Sequence, residues 1–261
     1  MIRAYGNFLS GINAFQRSLE QTADNLANVN TVAYKRSEVS FSDLLYCRLQ
    51  EKRLPVAPLP PASDPQAGLG VRPAAVVPFL EQGPLAESTR PLDLAIEGDG
   101  FFRIIQSDGA EAFTRQGNFS VDSDGRLITA AGDYLDTPFT LLGMRLETVA
   151  IGPDGAVLAV NEAGEIESLG VVPLYRFVNT AGLFKDGGGR HLATEASGAP
   201  VAGVPQENGF GTLRQYYLEG SNVNLGLDMI QLMTAQRALQ ANARGLVTAD
   251  ELQALTLQVR A

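Results

Sequence analysis

The sequence predicts an α+β protein with a helix at each end and a mostly antiparallel β domain between them. Three observations carry this. Apolar residues recur at helical spacing in the first 29 residues and again after residue 224. Asp-Gly dipeptides punctuate the middle. Nine of the 14 prolines fall between Pro55 and Pro91, with none in residues 1–54 and none after Pro205. Proline lacks a backbone donor and clashes with the preceding helical turn. The two ends are therefore free to be helical, and the segment 54–91 is expected to be extended or turn-rich.

In the N-terminal part, Met1, Tyr5, Phe8, Ile12, Phe15, Leu19, Thr22, Leu26 and Val29 follow one another by alternating steps of four and three residues. This is a heptad seam with one polar member, Thr22. Asn13, Gln16, Arg17, Glu20 and Asp24 occupy the other side. The spacing predicts a helix over about 8–28, roughly 30 Å long at ~1.5 Å per residue. Asn28, Asn30 and Thr31 supply its stop.

Leu225, Met229, Leu232, Ala235, Leu239, Asn242 and Leu246 mirror this at the other end, and after Gly245 the register slips to Ala249, Leu252, Leu255 and Val259. Thr248 and Glu251 have the spacing of a capping box, so a kink or restart is expected near Gly245.

Between the ends, Asp108-Gly109, Asp124-Gly125 and Asp154-Gly155 read as hairpin turns, because glycine tolerates the positive φ such turns require. Leu94-Ala95-Ile96, Gly98-Asp99-Gly100 and Phe101-Phe102-Arg103-Ile104-Ile105 read as strand, turn, strand. Leu94, Ile96, Phe101, Ile104 and Phe119 are the expected β core. The parts in order are a helical segment 1–35 pairing as a coiled coil with 222–261, a Pro-rich connection 36–91, and a β domain 92–221. The terminal stripes pack either on one globular core or on helices of neighbouring copies. The regular seam and the self-sufficient β core favour the second.

Composition narrows the function. A formal net charge of -9 argues against a nucleic-acid surface, which needs clustered Lys and Arg. No run approaches the ~20 apolar residues of a membrane span. The start lacks the apolar core and cleavage site of a removable signal. Cys47 is the single cysteine, so no internal disulfide is expected. His191 is the single histidine, beside Gly187-Gly188-Gly189, and reads as a surface loop residue. Asp122-Ser123-Asp124-Gly125 begins like a calcium loop, but position 6 is Leu127 and position 12 is Asp133, where Gly and Glu are needed. Gly98-Asp99-Gly100 is followed by Arg103 and a strand-like run, not by the third glycine and helix of a dinucleotide site. No catalytic residue, metal or cofactor is expected.

Several motifs then line up. Asp24-Asn25-Leu26-Ala27-Asn28-Val29-Asn30-Thr31 with Tyr34-Lys35-Arg36, and Phe41-Ser42-Asp43-Leu44-Leu45-Tyr46, resemble the N-terminal signatures of flagellar axial proteins, the rod, hook and hook-associated subunits. Gly68-Leu69-Gly70-Val71-Arg72-Pro73 is similar to an element of the distal-rod members. Leu92-Asp93-Leu94-Ala95-Ile96-Glu97-Gly98-Asp99-Gly100-Phe101-Phe102, Phe113-Thr114-Arg115-Gln116-Gly117-Asn118-Phe119, Glu219-Gly220-Ser221-Asn222-Val223-Asn224 and Ala235-Gln236-Arg237-Ala238 match further family elements in the family's order. Departures are Tyr34 for the usual Phe, Leu239 for the usual Tyr, and the divergent stretch 47–66.

The resemblance implies a structural subunit of the distal rod, exported unfolded through the flagellar type III apparatus without a cleaved signal. It implies a hollow helical homopolymer whose terminal helices form an inner layer of coiled coils. The proximal rod, the hook and the peptidoglycan and outer-membrane rings would be its neighbours, and the segment 46–78 would tune straightness and stiffness. A proximal-rod or hook subunit is the alternative within the family, and a β-rich hydrolase or lectin the alternative outside it. The expected assembly seams are Tyr5, Phe8, Ile12, Phe15, Leu19, Leu26 and Val29, and Leu225, Met229, Leu232, Leu239, Leu246, Leu252 and Leu255. The signature residues are Asn25, Leu26, Ala27, Asn28, Asn30, Thr31, Lys35, Gly98, Gly100, Phe101, Phe102, Ser221, Asn222, Asn224, Gln236 and Arg237. Segments 1–35 and about 222–261 are expected to be disordered in the free monomer and to order on assembly.

Overall fold

The computed structural model describes residues 2–48, 66–161 and 163–260. It has a helix Ile2–Ala27 (α1), a helix Leu225–Arg260 (α2) and short strands between them. The strand pairs whose register is defined are antiparallel. The class is α+β. The chain divides into two compact units. A helical unit comprises Met1–Ala27, Ser37–Val77 and Asn224–Ala261, and a β unit comprises Asn28–Arg36 and Pro78–Val223.

In the helical unit α1 begins at Ile2, six residues before the expected start. The apolar spacing already runs through Tyr5, and one Gly costs a helix only about 1 kcal/mol. Asn13, Gln16, Arg17, Glu20 and Asp24 are exposed, as the spacing predicts. After Ala27 the Thr31 amide donates to the Asn28 carbonyl at 3.1 Å, and the Thr31 hydroxyl to the Asn28 side chain at 3.1 Å.

No restart interrupts α2. It runs 36 residues through Gly245, which corrects the expected kink. Thr248 does not cap a new helix, because its hydroxyl donates back to the Gly245 carbonyl at 2.9 Å. A Cβ at 245 would lie 2.5 Å from the Phe8 ring. The glycine makes room for an aromatic side chain of α1.

Strand Ser37–Asp43 hydrogen-bonds to Val71–Pro78, and Cys47–Arg48 pairs with Gln66–Ala67, Cys47 opposite Ala67. The segment leaves α1 extended and returns beside itself. Residues 49–65, with Pro55, Pro58, Pro60, Pro61 and Pro65, lie outside the described residues.

The β unit contains a seven-stranded sheet in the order Phe184–Gly187, Arg190–Leu192, Glu111–Thr114, Phe102–Ile105, Tyr134–Leu135, Leu127–Ile128, Ser120–Val121. The Asp-Gly turns fall where expected, joining 102–105 to 111–114, 120–121 to 127–128 and 150–151 to 156–160. Gly109, Gly125 and Gly155 all have positive φ. The strands flanking Gly98-Asp99-Gly100 do not pair with each other: Leu94–Glu97 pairs with Thr212–Gln215, and Phe102–Ile105 joins the large sheet. Leu94, Ile96, Phe102, Ile104 and Phe119 share one buried cluster. Phe101 belongs to a second, with Phe113, Tyr175, Phe177 and Leu183. Gly117 admits no side chain, since a Cβ there would lie 1.5 Å from the Leu94 carbonyl oxygen.

His191 corrects a second expectation. It is not a loop residue on the surface but lies on strand Arg190–Leu192, 3% exposed. Burial and the charges of Lys185, Lys35 and Arg115 lower its pKa to about 4, so it is neutral at pH 7.

Candidate assembly site

Within the helical unit, the buried positions among the described residues of α1 are small or polar: Gly11, Ala14, Thr22 and Asn25. The seam residues Tyr5, Phe8, Ile12, Phe15, Leu19 and Leu26 are only partly buried beside them, and Leu9 is 54% exposed. Among the described residues of α2 the buried ones are Asp228, Ala235 and Ala249. Leu232, Leu239 and Leu246 are partly buried. Leu225, Met229, Leu252 and Leu255 stand exposed. Leu227, Ile230, Met233 and Val247, outside the expected seam, are exposed too.

The helices touch closely where side chains are small. A Cβ on Gly11 would meet the Asn242 side chain at 3.2 Å, and Tyr5 donates its hydroxyl to Asp250 at 2.9 Å. Leu225, Leu227, Met229, Ile230 and Met233, each 47–58% exposed, spread over about 200° of circumference at ~100° per residue. That arc is wider than one partner helix covers. Burying a Leu-sized side chain fully stabilises by roughly 1.5–3 kcal/mol, so each half-exposed residue leaves about half of that unrealised. Apolar patches of this kind mark interaction surfaces. Among the described residues no helix is long and apolar enough to cross a membrane, and no cluster of His, Cys, Asp and Glu could hold a metal ion.

The signature residues near the chain crossings form clasps. In the helical unit, Asn25 donates to the Ser37 carbonyl at 2.9 Å and accepts from its amide at 3.0 Å. Asn224 caps α2, its side-chain oxygen accepting from the amides of Gly226 and Leu227 at 3.1 and 3.2 Å. A short polar side chain at this position satisfies amides that have no partner within the helix.

In the β unit, Asn222 accepts from the Arg36 amide at 2.8 Å and donates to the Phe79 and Glu81 carbonyls at 2.8 and 3.1 Å. Lys35 forms an ion pair with Glu219, both buried, and donates to the Glu81 carbonyl at 2.7 Å. Burial pulls the Lys35 ammonium below its usual pKa, while Glu219 pulls it back up. Glu219 also accepts from the Gly83 amide at 2.9 Å and from Arg115 at 3.4 Å. One carboxylate thus holds residues from three stretches of chain.

Ser221 accepts from the Val223 amide at 3.3 Å. Gly98 and Gly100 have positive φ, and Phe101 and Phe102 are core residues. Val29 is partly buried; Ala27, Asn30, Gln236 and Arg237 are exposed.

Sequence reasoning missed Glu219 and Arg115 as a charge cluster, although both lie in quoted motifs. Their charges are far apart along the chain, and only the fold brings them together. It also missed the exposed faces of α2 outside the single seam. The signal was present in Leu227, Ile230, Met233 and Val247.

The chain matches three families along its length. These are described as "Flagella basal body rod protein" over residues 8–35, "Flagellar hook protein FlgE/F/G D1 domain" over 95–167, and "Flagellar basal body rod FlgEFG protein C-terminal" over 214–259. It is similar to the flagellar basal-body rod protein FlgG of Agrobacterium fabrum, 38% identical over 96% of this chain and 97% of that one. FlgG of Borreliella burgdorferi is 35% identical over 97% of this chain and 96% of its own length. FlgG of Bacillus subtilis is 33% identical over 97% of each. The flagellar hook protein FlgE of Helicobacter pylori is 34% identical over 66% of this chain, but only 24% of that longer protein is covered. End-to-end alignment with rod proteins, against a partial one with the hook, decides between the two: the chain belongs to the FlgG family of flagellar basal-body rod proteins.

Proposed function

We propose that this chain, a structural subunit of the flagellar distal rod in the basal body, stacks with copies of itself into a hollow helical shaft that carries torque from motor to hook. The observation that supports this most is the apolar surface left open on α2, from Leu225 round to Leu227. Contacts that repeat without closing give helical polymers, and an arc of that width calls for more than one neighbour. In this reading α1 and α2 pair as a coiled coil. Tyr5, Phe8, Ile12, Phe15, Leu19, Leu26 and Val29, with Leu225, Met229, Leu232, Leu239, Leu246, Leu252 and Leu255, meet helices of adjacent subunits.

The segments 1–35 and 222–261 form the assembly layer, 36–91 the connection that tunes stiffness, and 92–221 the outer β domain. The role is mechanical and calls for no active site, metal or cofactor. Subunits reach the rod through the flagellar type III apparatus without a cleaved signal. The rod spans the periplasm between proximal rod and hook, inside the peptidoglycan and outer-membrane rings.

Leu19→Asp and Leu232→Asp test this, because each places a charge in an apolar seam. Both should abolish polymerisation and motility while leaving the β unit folded. Normal motility in both variants would remove the reading. A deletion strain separates the alternatives within the family: a truncated rod without a hook indicates a rod subunit, and a complete rod without a hook indicates a hook subunit.

A further inference from the structure

The chain's one histidine, His191, lies within reach of the charges of Lys35 and Arg115 in the Glu219 cluster. His191 sits opposite Phe113 on one neighbouring strand and Lys185 on the other. Its ring meets Phe101 edge-on at 6.0 Å. Its Nδ1 is buried and has no hydrogen-bond partner among the described residues.

Cations crowd this pocket. Lys185 donates to the Lys35 carbonyl at 3.5 Å, and its ammonium lies 4.2 Å over the Tyr34 ring. The Arg115 guanidinium lies 5.4 Å from the centre of the Phe101 ring that His191 touches. Glu219 is the carboxylate that Lys35 and Arg115 share. On the neighbouring strands Arg190 is paired with Asp133 and Asp186, at 3.4 and 3.8 Å. Glu111, at the far end of strand Glu111–Thr114, is paired with Arg103. Arg36 lies over the Phe79 ring.

We propose that His191 is an acid-sensitive latch: protonating it releases residues 28–36 from the β unit, because its charge joins that of Lys185 and those of Lys35 and Arg115, which share the Glu219 carboxylate.

The sign follows from linkage. The latch is closed while the imidazole is neutral. With the latch closed the imidazole titrates at about 4, against 6.5 when it is free of the fold. The open state therefore binds the proton first, and acid favours opening. The opening equilibrium rises up to tenfold per pH unit as pH falls below 6.5, and it levels off near 4. The difference of 6.5 − 4 = 2.5 units sets a ceiling of about 300-fold. At pH 7 and above the latch is insensitive to pH.

The test uses the full chain. Because there is a single histidine, one imidazole resonance reads its titration by NMR. Amide exchange, corrected for its intrinsic pH dependence, reads the latch at Ala33, whose amide donates to the Glu219 carbonyl at 2.7 Å. The imidazole of the folded chain should titrate near 4, and Ala33 protection should fall by about 100-fold between pH 7 and 4, approaching the ceiling of about 300-fold only at lower pH. Lys185→Gln removes one cation, so the imidazole midpoint should rise toward 6.5, and the loss of protection should become smaller and level off at a correspondingly higher pH. His191→Gln should abolish the dependence. An imidazole midpoint near 6.5 in the folded chain overturns the proposal. So does a protection midpoint that stays fixed while Lys185→Gln moves the imidazole. Should His191→Gln fail to fold, the wild type and Lys185→Gln still decide.

Discussion

The two units treat their apolar side chains in opposite ways. In the β unit Leu94, Ile96, Phe102, Phe119 and Leu174 are at most 1% exposed, and the edge-on ring pair Phe102–Phe119 closes at 5.3 Å. Its buried charges are paired as well, at Lys35, Arg115 and Glu219. On α1 and α2 the most deeply buried of the described positions are small or polar, among them Ala14, Thr22, Asn25, Asp228 and Ala235, and the large apolar residues are partly covered or stand half in water. The difference teaches where each unit finds its stability. The β unit completes its core within one chain. The helical unit has apolar surface to spare and gains from copies that cover it.

The largest expected effect breaks the closed side of this contrast. Glu219→Ala leaves Lys35 and Arg115 buried without their shared carboxylate, and breaking such a pair costs about 3–5 kcal/mol. Urea unfolding of the β unit should show that loss, and a cost below about 1 kcal/mol would mean its charges are not locked as the geometry shows.

The same glycine substitution made in both units sharpens the contrast. Gly117→Ala drives a methyl group against the Leu94 carbonyl, 1.5 Å away, where backbone must move, so a loss of about 3 kcal/mol is expected. Gly245→Ala meets the end of the Phe8 ring at 2.5 Å. That side chain is only partly buried and can turn aside, while alanine favours the helix by about 1 kcal/mol. Its net effect on the thermal stability of the assembled polymer should stay within about 1 kcal/mol. Equal losses at the two sites would erase the distinction.

The smallest effect is expected at Leu227, 53% exposed. Leu227→Ser should change monomer stability by less than about 0.5 kcal/mol and yet slow polymerisation measured by light scattering. Unchanged polymerisation would remove this face of α2 from the assembly surface.

Much of this was legible in the sequence, because the informative interactions were local. The four-three spacing from Tyr5 to Leu26 located α1 and its exposed polar side. Asp108-Gly109, Asp124-Gly125 and Asp154-Gly155 located three turns. Other features were hidden because they depend on contacts distant in sequence. Gly245 looked like a helix breaker until Phe8 filled the space above it. His191 followed a glycine run, yet pairing with Phe113 and Lys185 draws it into a sheet. Lys35 and Glu219 are 184 residues apart, and no periodicity announces a pair at that separation. Strand partners such as Leu94–Glu97 with Thr212–Gln215 were equally out of reach of local pattern.

Amide exchange on the soluble monomer and on the assembled polymer tests the central claim most directly. The account predicts fast exchange over 2–27 and 224–260 in the monomer, strong protection of both in the polymer, and protected β-unit amides, including Ala33, in either state at pH 7. Strong protection of α1 and α2 in the isolated monomer would contradict it.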